Sequence, residues 1–188
     1  STMVEMGLLA PVVLLIMIAV VELSVFMWQW NSAHRTTRAG ARLAGLTSPV
    51  VSNLSDLVSG EIGEPLTAYS VNCDGSTQTC SQGDYNSAAM ARIVTGGDGI
   101  CSTQTEVHLR GLCDMMPDIT AANVFIEYRA SLNEVGGAPG GLQPIVTLSL
   151  KNISLSYTLF SVFNGELTSL PTTSVSVLGQ DLSDGSFE

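Results

Sequence analysis

Positive charge is scarce in this sequence: seven Lys and Arg stand against 17 Asp and Glu, for a formal net charge of −10. The imbalance sharpens beyond residue 50, where four basic residues face fifteen acidic ones, a net charge of −11. Such a surface repels nucleic acid and anionic lipid, so no nucleic-acid partner is expected. Histidine is nearly missing, with only His34 and His108. A hydrolytic triad would have to be built on His108 with Asp114 or Asp118, and no GxSxG turn presents a serine to it, so a surface histidine is the better reading. The glycine-rich stretch at 136 to 141 has no adjacent GKS/T and no Rossmann spacing, and reads as a hairpin connection. No enzyme and no cofactor is expected. Aromatics make up 6% of the chain and both tryptophans, Trp28 and Trp30, lie near its start, so the remainder offers few anchors for a small-molecule site.

The four cysteines, Cys73, Cys80, Cys101 and Cys113, lack the close CxxC knuckle of a zinc site. Asp98-Gly-Ile-Cys101 and Cys73-Asp-Gly75 lack the alternating carboxylates of a calcium loop, so they read as turns and no metal is expected. An even cysteine number beyond a membrane segment points to two disulfides in an oxidising compartment. Three connectivities are open, and the local pairs 73–80 and 101–113 are favoured.

What the sequence has in abundance is apolar residues at one end. Residues 6–30 contain a single charge, Glu22. As a helix they reach roughly 37 Å, enough to cross a bilayer with tilt. The chain opens Ser1-Thr-Met-Val-Glu5, without an initiator Met, which reads as the product of cleavage; a secretory signal would have lost its apolar core, whereas here the core follows the cleavage point. Glu5 is costly ahead of an apolar run and implies a partner, the α-amino group of its own or a neighbouring chain. The plainer alternative is a helix N-terminal acid in the headgroup layer. Glu22 is either neutralised by a neighbouring helix or set near the outer interface, which Phe26, Trp28 and Trp30 mark as an aromatic belt. Pro11 predicts a kink or local melting over residues 7–11.

Past the span the pattern becomes amphipathic, with Ala33, Ala39, Gly40, Ala41, Ala44 and Gly45 as small residues and Arg35, Arg38 and Arg42 on one stripe. The helix should end near 47, ahead of Pro49. Arginines just after the span argue for a cytoplasmic flank and the cysteines for the reverse; a basic leader removed ahead of Ser1 reconciles the two.

Val4-Glu5 before an apolar run with Pro11, the second acid Glu22, and Arg38-Ala-Gly-Ala-Arg42-Leu-Ala44 strongly resemble the TadE/TadG-like pilins of the tight-adherence pilus system, a branch of the type IV pilins. The resemblance covers residues 3–46. It implies cleavage by a prepilin peptidase just before Ser1, registration of Glu5 against a subunit N-terminal amine, and departure from the bacterial inner membrane through an assembly platform into a cell-surface pilus. The large second part favours a minor over a major subunit, and the Ser at position 1 departs from the aromatic or Met of many type IV pilins.

The expected fold is α+β: a long N-terminal helix (residues 1–47), membrane anchor before assembly and filament core after, then an extracytoplasmic domain (48–188) of short helices and an antiparallel sheet. A short helix should follow Pro49 and close near Gly60. Another should run through 85–94, capped by Asp84 and ended by Gly96-Gly97, and a third over 105–116, stopped by Pro117. Residues 123–132 alternate as a half-buried strand, IVTLSLKNI (145–153) resumes as a second, residues 155–163 read as strand or short helix, and TTSVSVLG (172–179) as a last strand. The functional expectation is a structural pilus subunit. Its partners are copies of itself or other pilins, packed through the apolar and Ala/Gly surface. Ser1, Glu5, Glu22, Arg38 and Arg42 are the assembly residues. The alternative is a membrane-anchored or tip-located adhesion module.

Overall fold

The opening stretch mixes leucine and methionine, which favour helix, with several valines, and in the computed structural model α1 runs from Thr2 to Leu46. The structure describes residues 2–52, 54, 68–101, 110–130, 144–154 and 171–179; side chains are described from residue 7 onward, Leu8 excepted. The helix is unbroken at Pro11, so the expected local melting does not occur. Proline removes one donor, and the bonds of the turns on either side keep the segment helical. At the other end the Thr47 hydroxyl and N–H both donate to the Leu43 carbonyl, at 2.9 and 3.0 Å. Pro49 then keeps the chain from continuing as helix.

Five antiparallel strands form one sheet in the order β2-β1-β3-β4-β5: β1 Ser70–Asp74, β2 Thr79–Cys80, β3 Val124–Arg129, β4 Ile145–Leu150 and β5 Thr173–Leu178. Register aligns the inward residues into rows. Val71, Tyr128, Val146 and Val177 lie side by side, and so do Cys73, Ile126, Leu148 and Val175. Alternation places Glu127, Thr147 and Ser176 on the opposite face. There Ser70 and Arg129 both donate to Glu127 Oε1, and Thr147 and Ser176 share a hydroxyl contact of 2.8 Å.

The inner face is covered by the second half of α1. Ala33, Thr36, Thr37, Gly40, Ala41 and Ala44 are buried there. Thr37 Oγ1 meets Thr173 Oγ1 at 2.8 Å. A Cβ at Gly40 would collide with the Leu112 side chain and stand 3.3 Å from Leu148. The small residues thus bring the helix backbone onto the sheet of the same chain. The sequence leads us to expect the apolar and Ala/Gly surface to pack against copies of this chain or other pilins; Ala33, Gly40, Ala41 and Ala44 of that surface are instead buried within the chain itself.

Two short helices fill the space beside α1. The first, α2 (Ser87–Thr95), is capped by Asn86, whose side chain accepts from Ala89 N, and not by Asp84. The reason is local pairing: Tyr85 forms a β-bridge with Val51, and the Asp84 carbonyl accepts from Ser52 N, so the chain is still extended there. Gly96 ends the helix with φ 78°, as its sequence position led us to expect. Of the third expected helix, residues 105–109 lie outside the described residues; Arg110 bridges to Gly96 and is extended, and Leu112–Met115 form α3. A Cβ at Gly111 would strike the backbone of Val94, Thr95 and Gly96, which shows how closely the two segments pass. A 3₁₀ turn, Ala121–Asn123, leads into β3. The expected helix after Pro49 lies largely in 55–67 and the ambiguous segment in 155–163, both outside the described residues, as are Leu132 and the 136–141 loop. Val50 and Val51, which would have opened that helix, are buried, and Val51 sits in the bridge with Tyr85.

Cys73 is bonded to Cys80 across the β1–β2 hairpin, and Cys101 to Cys113 at the start of α3. Deep in the core, Tyr128 is fully buried and its hydroxyl accepts from Val50 N at 2.9 Å. Burial pushes its phenol far above the ordinary range, the Val50 N–H partly opposing the shift, so the group stays neutral.

Tyr128→Phe should destabilise the full chain in detergent by about 1 to 3 kcal/mol, since it strands the buried Val50 N–H; an unchanged urea midpoint would mean another group satisfies that donor. Replacing Cys101 and Cys113 together with Ser should cost about 3 kcal/mol, and the Cys73/Cys80 pair slightly less because it closes a shorter loop. The same urea titration reads both, and no loss in either variant would remove the disulfides from the stability of the fold.

Candidate assembly surface

The first half of α1 is a rod without a cover. From Leu9 to Trp28 its large apolar side chains other than Ile18 and Phe26 are exposed, between 41% at Val25 and 69% at Trp28. That stretch spans about 29 Å of helix, close to the roughly 30 Å hydrocarbon thickness of a bilayer. It is the one helix among the described residues long and apolar enough to cross a membrane.

One line along this rod is shielded by the chain itself. Ile18, Glu22, Phe26, Trp30 and Ala33 follow at helical spacing with reduced exposure, continuing the docked face toward the N-terminus. Glu22 is 7% exposed, while Val21 and Leu23 beside it are 61% and 56% exposed. Phe26 stacks on Trp30 with centroids 6.2 Å apart, and Trp30 meets His34 edge-on at 4.9 Å. Trp28 points away from this cluster and is the aromatic residue best placed to meet lipid.

The expected assembly residues are spread along the helix. Ser1 and the Glu5 side chain lie outside the described part, though Glu5 is in the opening turns of α1. Glu22 is about 24 Å along the helix from Arg38 and about 30 Å from Arg42, so it cannot pair with either within one chain. Arg35, Arg38 and Arg42 are exposed together on the side turned away from the sheet. The sequence reading missed the groove they lead to, a hollow of about 280 Å³ lined by Arg42, Gly45, Leu46, Val177 and Leu178. It joins residues more than 130 positions apart, and no local pattern signals it. The described residues contain no group of His, Cys, Asp and Glu able to hold a metal ion.

An exposed apolar rod fused to a disulfide-bonded α+β domain fits membrane anchoring through the N-terminal helix. Residues 1–42 match the family model described as TadE-like protein, so the N-terminal region of this chain is TadE-like. The match points to a component of the tight-adherence pilus, and that family is structural and assembles with other pilus subunits. Comparisons with curated proteins and with solved structures find no match.

In vesicles containing brominated lipid, a Trp30→Phe chain should lose most of its fluorescence through Trp28, while a Trp28→Phe chain, emitting from the half-covered Trp30, should lose much less. Equal quenching would place both indoles in lipid and contradict the shielded line.

Proposed function

We propose that this chain is a structural subunit of a tight-adherence-type pilus. It is held in the inner membrane by the apolar half of α1 before assembly, and packs that half against copies of itself or other pilins in the filament at the cell surface. The observation that carries the reading is the combination of the TadE-like match with some 29 Å of uncovered apolar helix projecting from a docked domain. Surface of that kind is stable in a bilayer or inside a helix bundle, and not in water.

The division of the chain follows from the same reading: residues 1–47 form the anchor and filament core, and 48–188 the extracytoplasmic domain. The domain rides on the bundle, held to it by the buried face of residues 33–47. Glu5 pairs with the α-amino group of a neighbouring subunit, because a carboxylate in a low-dielectric bundle is stable only beside a positive partner. That amine is the one a prepilin peptidase leaves at Ser1, and the assembly platform delivers processed subunits to the growing end. Glu22, covered by its own chain, is a second carboxylate held at bilayer depth.

Glu5→Ala is the test. Expressed as a precursor with its peptidase, the variant should be processed normally and remain in the inner membrane, while the parent chain is found in sheared surface filaments by electron microscopy and blotting. Filaments that incorporate the variant as well as the parent would remove charge pairing at residue 5 from the mechanism, and the absence of the parent chain from any filament would overturn the pilus reading itself.

A further inference from the structure

Beyond the apolar run, the outward face of α1 is a row of three guanidinium groups. Arg35, Arg38 and Arg42 stand three and four residues apart, all exposed. Among the described residues the ion pair is Arg129 with Glu127, on the far face of the sheet, and none of the three helix arginines takes part in one. They are three of the seven cations in a chain with 17 acids. Lipid cannot satisfy the row as a whole. Counting from Trp30 at the edge of the apolar run, Arg35 lies about 8 Å farther along the helix and Arg42 about 18 Å. The headgroup layer is only about 5 to 8 Å deep and screening limits its reach to a further 8 to 10 Å, so Arg42 stands at or past the limit of both. The row ends instead at the groove where Leu46 and Leu178 are 45% and 47% exposed, an apolar seat beside a free cation.

The complementary surface lies at the other edge of the sheet. The 3₁₀ turn Ala121–Asn123 contacts α2, whose first residue lies three positions past the exposed Asp84. The turn after Asp74 packs against Ala121, three residues from the exposed Asp118. Lys151 lies over the Phe125 ring at 3.5 Å from its centroid, and the Ser76 hydrogen bonds, with the Lys151 charge adding to them, hold the Asp74 carboxyl below the usual range. This acidic end surrounds β1 and β2, while α1 lies over β4 and β5. Three strand spacings separate β1 from β5, about 14 Å, which exceeds the Debye length at physiological salt. Within one copy no ion pair joins Arg35, Arg38 or Arg42 to Asp74, Asp84 or Asp118.

We infer that Arg35, Arg38 and Arg42 dock the acidic β1–β2 end of the domain of a second copy of this chain. Each copy presents one surface of each sign at different places, so the contact is head-to-tail; a contact of that type that does not close into a ring propagates as an open helical filament. The inference rests on the pilus reading for what brings copies together, but its charge pairing is separate from that of Glu5.

The test uses the full chain in zwitterionic detergent micelles, with self-association measured by sedimentation at about 0.01 and about 1 M salt, where the Debye length is about 30 and 3 Å. The parent chain should associate at low salt and dissociate at high salt. Arg38→Glu with Arg42→Glu should weaken association at least about five-fold, as expected for losing two surface pairs and adding repulsion. Adding Asp84→Arg and Asp118→Arg to the same chain should restore it. All four side chains are exposed, and retained far-UV circular dichroism and protected disulfides would verify the fold. Association that ignores salt or the arginine changes overturns the inference, as does failure of the charge-swapped chain to recover. If the arginine variant associates normally but no longer floats with anionic vesicles, while the parent does, lipid headgroups are the partner and the inference is wrong. Sheared filaments that contain the parent chain, together with association indifferent to salt, would overturn this inference and leave the pilus reading standing, so the two failures are told apart.

Discussion

Everything in this chain turns on how closely α1 approaches its own sheet. Ala33, Gly40, Ala41 and Ala44 bring the helix backbone near Leu148 and Val177, and the Thr37–Thr173 hydroxyl pair fixes its position along β5. Thr37 meets Thr173 and Gly45 faces Val177, so α1 and β5 run in the same direction over that stretch. A longer side chain on this face would force the helix outward and open the core between Leu112 and Leu148, because interiors packed to this density do not absorb added volume without strain. The docking also decides which residues face outward. Once the small side is turned in, Arg35, Arg38 and Arg42 have nowhere to point but away.

How far the sequence could be read follows from where its patterns are local. Residues 124–129, 145–150 and 173–178 alternate in the sheet as they do in the sequence, because each strand has one inward and one outward face. The β1–β2 hairpin escaped notice since only Val71 and Cys73 point inward, and Asn72, Asp74 and Gly75 around them read as a turn. Within the expected third helix Arg110 is extended and not helical, because it pairs with Gly96, and a pairing between segments leaves no trace in local composition. The cap moved from Asp84 to Asn86 for a related reason, the Val51–Tyr85 bridge.

The candidate site divides in the same way. A carboxylate at residue 5 and a small-residue stripe at 33–45 are visible as chemistry out of place, and both call for a partner. Periodicity says that a helix face is made for close approach but is silent on whose surface approaches it. The stripe found its partner within the chain. The groove beside Arg42 needs β5 to lie along α1, information present only once the sheet is assembled.

A rigid joint between helix and domain has a further consequence for the energetics of assembly. On the pilus reading, the apolar half of α1 passes from lipid to a bundle of like helices, and lipid tails are as apolar as the side chains that replace them. The hydrophobic effect is then nearly equal on both sides and cannot by itself drive the transfer. What differs is packing and charge. A carboxylate at residue 5 is poorly tolerated among acyl chains and well tolerated beside an amine, so the polar group that makes the membrane state costly favours the filament. Because residues 33–47 are locked into the domain core, any register set by Glu5 along the helix is carried undamped to the domain surface. Charges on the outer face of α1 therefore meet a neighbouring domain at one fixed offset, which is the condition for surface pairs, each weak alone, to act together.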